Sequence, residues 1–181
     1  MRLRRIVHGL VVSSFAAFGI EPTFAIDLSA LAAKYRDLQS AVHPDRFANA
    51  TDAEQRVAMA RAVEINDAYN TLKDPVRRAM HLLSLKGIDA LAASDTSMPV
   101  DFLMEQVEWR EALADAKLKE DSERLEAMAS EIASILRSLG DTFAAAWRGE
   151  HLPVATTLAR KMRFMQRLGD EVDAALADLE Q

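Results

Sequence analysis

The stretches Ala33-Lys34-Tyr35-Arg36-Asp37-Leu38 and Val42-His43-Pro44-Asp45-Arg46-Phe47 decide the fold. Before the tripeptide His43-Pro44-Asp45, residues Leu28, Leu31, Tyr35, Leu38 and Val42 recur at steps of 3, 4, 3 and 4. That is one face of a helix, predicted over 27–42, with Asp27 or Ser29 as N-cap. The helix must end near His43, because proline disfavours the α conformation in the residue before it. After the tripeptide, Thr51-x-x-Glu54 has the form of a capping box. A second helix follows with Ala58, Ala62, Ile65, Tyr69 and Leu72 on one face. Asp74-Pro75 ends it. A short helix is predicted from Pro75, at an allowed first-turn position, to Lys86, with Gly87 as its stop. The two long helices, joined by a short loop, should pack as an antiparallel hairpin with His43-Pro44-Asp45 in the loop.

The rest of the chain points the same way. Half of its 181 residues are apolar, 28% are charged, and Gly and Pro number only 6 and 5. Good helix formers dominate, so the predicted class is all-α. The net charge of −6 argues against a general nucleic-acid binder. There is no cysteine, and His8, His43, His81 and His151 include no i, i+4 pair. No metal or other cofactor is therefore expected. No phosphate loop or nucleophile elbow is present, and no histidine has an evident acid or nucleophile partner. The chain does not read as an enzyme.

Beyond Gly87, residues 89–98 are rich in Ala, Ser, Asp and Thr and read as a linker. Three further helices are predicted, from about Pro99 to Leu118, from Ser122 to about Trp147, and from about Leu152 to Leu179. The second carries a seam of Leu125, Met128, Ile132, Ile135, Leu139 and Phe143, with Gly140 as a possible bend. The third carries Val154, Leu158, Met165, Leu168, Val172 and Leu176. Short connections imply a three-helix bundle. The predicted division is an N-terminal domain over 12–88, a linker over 89–98 and a bundle over 99–181. In the helix after Pro99, Phe102, Trp109, Leu113 and Ala116 form a core seam. Leu103, Met104 and Val107 lie about 100° or more around it, extended by Glu108, Glu111 and Asp115. An apolar cluster beside carboxylates has the form of a docking face. The alternative is that Leu103 and Val107 pack against the other domain or a neighbouring helix.

Together, the segments around His43-Pro44-Asp45 and the run Ile65-Asn66-Asp67-Ala68-Tyr69-Asn70-Thr71-Leu72-Lys73-Asp74-Pro75 resemble a J domain. Arg78 to Gly87, the run Asp101-Phe102-Leu103-Met104-Glu105-Gln106-Val107-Glu108-Trp109-Arg110-Glu111, and Lys161-Met162-Arg163-Phe164 narrow the likeness to the HscB family of iron–sulfur co-chaperones. The resemblance covers about residues 15 to 175. It implies that the J domain docks on an HscA-type ATPase chaperone through His43, Pro44 and Asp45, stimulating ATP hydrolysis. Asp45 would accept a charge-assisted hydrogen bond from a chaperone arginine. Lys34, Tyr35, Arg36 and Arg46 would flank that contact, the basic ones steering approach to an acidic groove. It implies further that the bundle holds an IscU-type scaffold protein through Leu103, Met104, Val107, Glu108, Glu111, Asp115 and Phe164. The expected location is cytoplasmic, with neither nucleic acid nor membrane as partner.

Three features depart from the family pattern. Phe15 to Ile20 matches the first J-domain helix, which leaves a basic segment with Arg2, Arg4 and Arg5 ahead of it. That segment and the apolar run Leu10 to Ile20, followed by Thr23-Phe24-Ala25, also have the outline of a signal peptide. Cleavage after Ala25 would remove the first helix, and an ATP-dependent partner is not found in secreted compartments, so a disordered extension or misassigned start is preferred. The cysteine-rich metal module of some relatives is absent. Val107 and Trp109 replace the usual leucines. Two other readings stay open: a J-domain co-chaperone for a different client, and a secreted helical protein whose His-Pro-Asp is accidental.

Overall fold

The computed structural model describes residues 13–92 and 98–180. Among these residues there is no strand, and no helix is long and apolar enough to cross a membrane. The basic segment over 1–12 and the middle of the predicted linker, 93–97, lie outside the described residues. The chain divides into two compact units, one ending at Ile88 and the other starting at Asp89.

The first unit begins with a single helical turn, α1 (Ser14–Ala17), shorter than the predicted Phe15–Ile20 match. Phe15 and Phe18, from α1 and its end, are completely buried, and Phe24 nearly so. Each such ring contributes roughly 2–3 kcal/mol, so cleavage after Ala25 would strip three aromatic side chains from this core. Helix α2 (Leu28–Ala41) starts at Asp27, whose carboxylate accepts from the amides of Ser29 and Ala30 at 2.8 and 3.0 Å. Helix α3 (Asp52–Lys73) starts with the predicted capping box: Thr51 Oγ1 accepts from the Glu54 amide, and the Glu54 carboxylate accepts from the Thr51 amide at 2.9 Å. These bonds hold the Glu54 carboxyl below its usual pKa of 4.5, the Thr51 amide being the main cause. Asp74 closes α3 and caps α4 (Pro75–Leu85) through the amides of Val76 and Arg77. Gly87 then takes a φ of +75°, the left-handed conformation that a side chain would strain.

One residue of this core escaped the sequence reading. Arg78 is buried, its Nε donating to the Leu72 carbonyl at 2.7 Å and an Nη to the Phe24 carbonyl at 2.5 Å. Its guanidinium also lies 5.1 Å from the Phe24 ring centroid. Burial pushes its pKa down, and the Asp74 carboxylate opposes the shift. Arg78 thereby fastens the segment before α2 to the α3–α4 corner. His81 adds a second fastening, its Nε2 accepting from the Ser14 amide at 2.9 Å while its ring stacks on Phe15.

The second unit is the predicted three-helix bundle: α5 (Val100–Leu118), α6 (Ser122–Arg148) and α7 (Leu152–Leu179). Helices α6 and α7 form its main antiparallel pair, with Leu125, Met128, Ile132, Met165, Leu168 and Val172 buried between helices. Gly140 is buried inside an uninterrupted α6. The inward face of α7 differs at its start from the expectation. Val154 is exposed and Leu158 only half-buried, whereas Ala155, Ala159 and Met162 are fully buried. Small residues fill that seam because close helix approach rewards fit over side-chain size. The first part of the predicted linker is also packed: Ala90 is buried and its carbonyl accepts from Arg160 of α7 at 2.7 Å.

Candidate functional site

At the tip of the α2–α3 hairpin, His43 adopts φ −60° and ψ 136°, the extended state a following proline demands. Pro44–Phe47 then makes one 3-10 turn. The His43 Nδ1 accepts from the Asp45 amide at 3.3 Å and lies 3.5 Å from the Asp45 carboxylate. The first contact needs Nδ1 to act as an acceptor and the second needs it to carry a hydrogen, so the ring makes one or the other. The Asp45 side chain is 90% exposed, so its carboxylate stands ready for an incoming donor.

The flanking residues divide. Lys34, Arg36 and Arg46 are all exposed. Two residues apart on α2, Lys34 and Arg36 are separated by about 200° of rotation and project from opposite flanks. They therefore flank Tyr35 on its two sides, as the spacing predicts. Tyr35 is committed elsewhere. Its ring stacks on Tyr69 at 4.1 Å, and its hydroxyl donates to Asn66 Oδ1 at 3.1 Å and accepts from Gln39 at 3.3 Å. Half-buried in this way, Tyr35 ties α2 to α3.

Beside the tip lies a groove that the sequence reading missed. It has a volume of about 590 Å³ and is lined by Pro44, Asp45, Phe47, Met59 and Val63, among others. Met59 and Val63 are exposed. The available signal was that both are apolar yet stand off the α3 core face.

In the bundle, α5 buries Phe102, Leu113 and Ala116, with Trp109 half-buried. Leu103, Met104 and Val107 remain 46%, 62% and 56% exposed. Apolar residues thus lie on both the core face and the solvent face of this helix. Leu103, Val107 and Glu111 recur every four residues and share one stripe. Together with Phe164 of α7 they line a groove, joined by Arg110 and Arg167, which the sequence reading did not select. Phe164 is half-buried, edge-on to Phe102 at 5.6 Å. Met104, Glu108 and Asp115 follow the neighbouring stripe and do not line this groove. Glu108 borders a separate hollow with Trp109, Arg124 and Glu131. Asp115 is bonded to Lys119 at 2.7 Å, which raises the lysine pKa. Among the described residues, no cluster of three or more His, Asp or Glu could hold a metal ion.

Comparison with known proteins agrees with this two-part layout. Residues 14–81 match the family model of the DnaJ domain, and residues 98–173 match that described as the HSCB C-terminal oligomerisation domain. The Co-chaperone protein HscB homolog of Ralstonia nicotianae is 41% identical over 92% of this chain and 95% of its own length. Among solved structures, chaperone HscB from Vibrio cholerae superposes with a TM-score of 0.80 at 34% identity, covering 93% of this chain and 99% of that one. Human co-chaperone HscB gives a TM-score of 0.83 at 25% identity, covering 96% and 91%. A J-domain match that spans His43-Pro44-Asp45 sets aside the reading of that tripeptide as accidental. With an exposed His-Pro-Asp tip on a helical hairpin, a three-helix bundle with an apolar outer face on its first helix, and this similarity over nearly its whole length, the chain belongs to the HscB family of J-domain co-chaperones.

Proposed function

We propose that this protein binds an IscU-type iron–sulfur scaffold, delivers it to an HscA-type chaperone and stimulates that chaperone's ATP hydrolysis, so promoting cluster transfer to acceptor proteins. The protein performs no chemistry of its own; the cluster is cargo, and no resident cofactor is assigned. The cytoplasm is the compartment that fits an ATP-dependent partner.

The observation that carries this reading is the presence, in one chain, of two unlike exposed surfaces. At one, His43, Pro44 and Asp45 offer a rigid turn and an unshielded carboxylate to an arginine of the ATPase. Arg36 and Arg46 add long-range attraction that affects approach more than affinity. At the other, Leu103, Val107 and Phe164 offer apolar area, rimmed by Glu111, with Met104 and Glu108 alongside. Such a centre with a polar rim suits a protein partner. The decisive measurement is the ATPase rate of the HscA-type chaperone with this protein, with the scaffold, and with both. Synergy between the two is expected. Stimulation that is indifferent to scaffold would point to a different client, and no stimulation at all would remove the reading.

A further inference from the structure

The docking groove of the bundle contains two arginines in contrasting states. Arg110 of α5 forms an ion pair with Glu171 of α7, and its guanidinium lies 5.8 Å from the centroid of the Phe164 ring. Phe164 in turn meets the Phe102 ring at an interplanar angle of 85°, and the amine of Lys161 lies 4.6 Å from the Phe102 centroid. Carboxylate, cation, ring, ring and cation thus follow one another across the α5–α7 junction. Arg167 lines the same groove, exposed and without an ion pair among the described residues.

We propose that Glu171 and Arg110 act as positioning residues for scaffold docking, holding the Phe164 ring in its binding orientation. This rests on the reading of the groove as the scaffold site. Phe164 is half-buried, so its core side is fixed by Phe102 but its outer side needs a second contact. The guanidinium of Arg110 supplies it, since a cation over an aromatic face is attracted by the ring quadrupole. An unrestrained arginine would lose much of that benefit to its own rotamer freedom. Glu171 removes the freedom by anchoring the guanidinium from the opposite helix. Because the pair is internally neutralised, Arg110 is poorly suited to attract a partner carboxylate. Arg167 keeps its full charge and is the cation in this groove left to meet one.

The test measures affinity for the purified IscU-type scaffold by calorimetry, together with the ring signals of Phe164 by NMR. Glu171→Gln should weaken binding about two- to fivefold, the range of an exposed cation–ring contact, and should broaden or shift the Phe164 signals while the melting temperature stays near that of the parent. Arg110→Met should do the same, because it keeps the bulk but removes the cation from the ring and the partner from Glu171. The exchange Arg110→Glu with Glu171→Arg restores the ion pair without the cation over Phe164, so it should not recover affinity. Full recovery in the exchange variant would reduce the pair to a structural tie and overturn the proposal. Tighter binding by Arg110→Ala would also overturn it, by showing that the arginine covers the ring. Unchanged affinity in Glu171→Gln, with Phe164→Ala clearly weakened, would refute the role of the pair but leave the scaffold site standing. Absence of scaffold binding by the parent protein would instead remove the site itself.

Discussion

Helices α2, α3 and α4 of the N-terminal unit are 14, 22 and 11 residues long, while α5, α6 and α7 of the bundle run 19, 27 and 28. The two units accordingly use different fasteners. The N-terminal unit relies on side chains bonded to backbone: Asp27, Thr51 and Asp74 as caps, Arg78 on two carbonyls, His81 on the Ser14 amide. The α6–α7 pair is held mainly by its apolar seam, and the groove between α5 and α7 is framed by contacts between side chains. The functional surfaces differ in the same way. The tip is a loop whose backbone is set by local rules and whose business end is a carboxylate. The groove is an assembled surface, with Leu103 and Val107 from one helix and Phe164 from another. A polar trigger can stand on a short turn because one charge-assisted bond needs direction. An apolar docking site needs area, and here two helices supply it together.

Breaking the trigger alone is the sharpest way to separate the two. Asp45→Ala should abolish stimulation of the partner ATPase, a loss of at least about tenfold. Scaffold affinity and far-UV circular dichroism should stay at parent values; retained stimulation would mean that the tip is not the contact. The reciprocal variant, Leu103→Ala with Val107→Ala, should weaken scaffold binding by roughly 2–4 kcal/mol, measured by calorimetry. Basal stimulation without scaffold should be preserved. If both activities fell together, the two surfaces would not be independent.

A third variant probes the fasteners. Arg78→Met keeps the bulk of the side chain but leaves the carbonyls of Phe24 and Leu72 without their donor. Unfolding of the N-terminal unit should become easier by roughly 2–3 kcal/mol in denaturant titration, with the bundle transition unmoved. The smallest effect concerns the start of α3. The Glu54 carboxyl has a lower pKa folded than unfolded, so its contribution is complete above the unfolded value of about 4.5 and is lost as pH falls through the folded value. Hydrogen exchange of the Thr51 and Glu54 amides should therefore show falling protection, relative to intrinsic rates, as pH drops below about 4.5. In Glu54→Gln that pH dependence should disappear.

Much of this was legible without coordinates because the relevant rules are local. Proline after His43, the Thr51–Glu54 box and the Asp74-Pro75 break each act within a few residues, and each appears where the pattern put it. The groove was legible only in part. Leu103, Val107 and Glu111 could be placed on one stripe by helical spacing, and Phe164 entered through family resemblance. Arg110 and Arg167 were missed, because nothing in the spacing of α5 or α7 says which charged residues face each other across the junction. Arg78 was missed for a similar reason: a basic residue in an amphipathic helix ordinarily reads as solvated. Val154 and Leu158 misled because hydropathy favours the larger apolar residue, whereas the start of α7 buries Ala155 and Ala159.

By itself, then, the sequence determined the helices, their ends, the His43-Pro44-Asp45 turn and the presence of a second apolar face on α5, since caps, breakers and periodicity act over one or two turns of chain. Only the tertiary structure decided that Tyr35 stacks on Tyr69 and so ties α2 to α3, that Arg78 is spent on the carbonyls of Leu72 and Phe24, and that Arg110 is bound to Glu171 beside Phe164. Those facts depend on which residues distant in sequence are brought within about 4–6 Å, the distance over which ring stacking and ion pairing act.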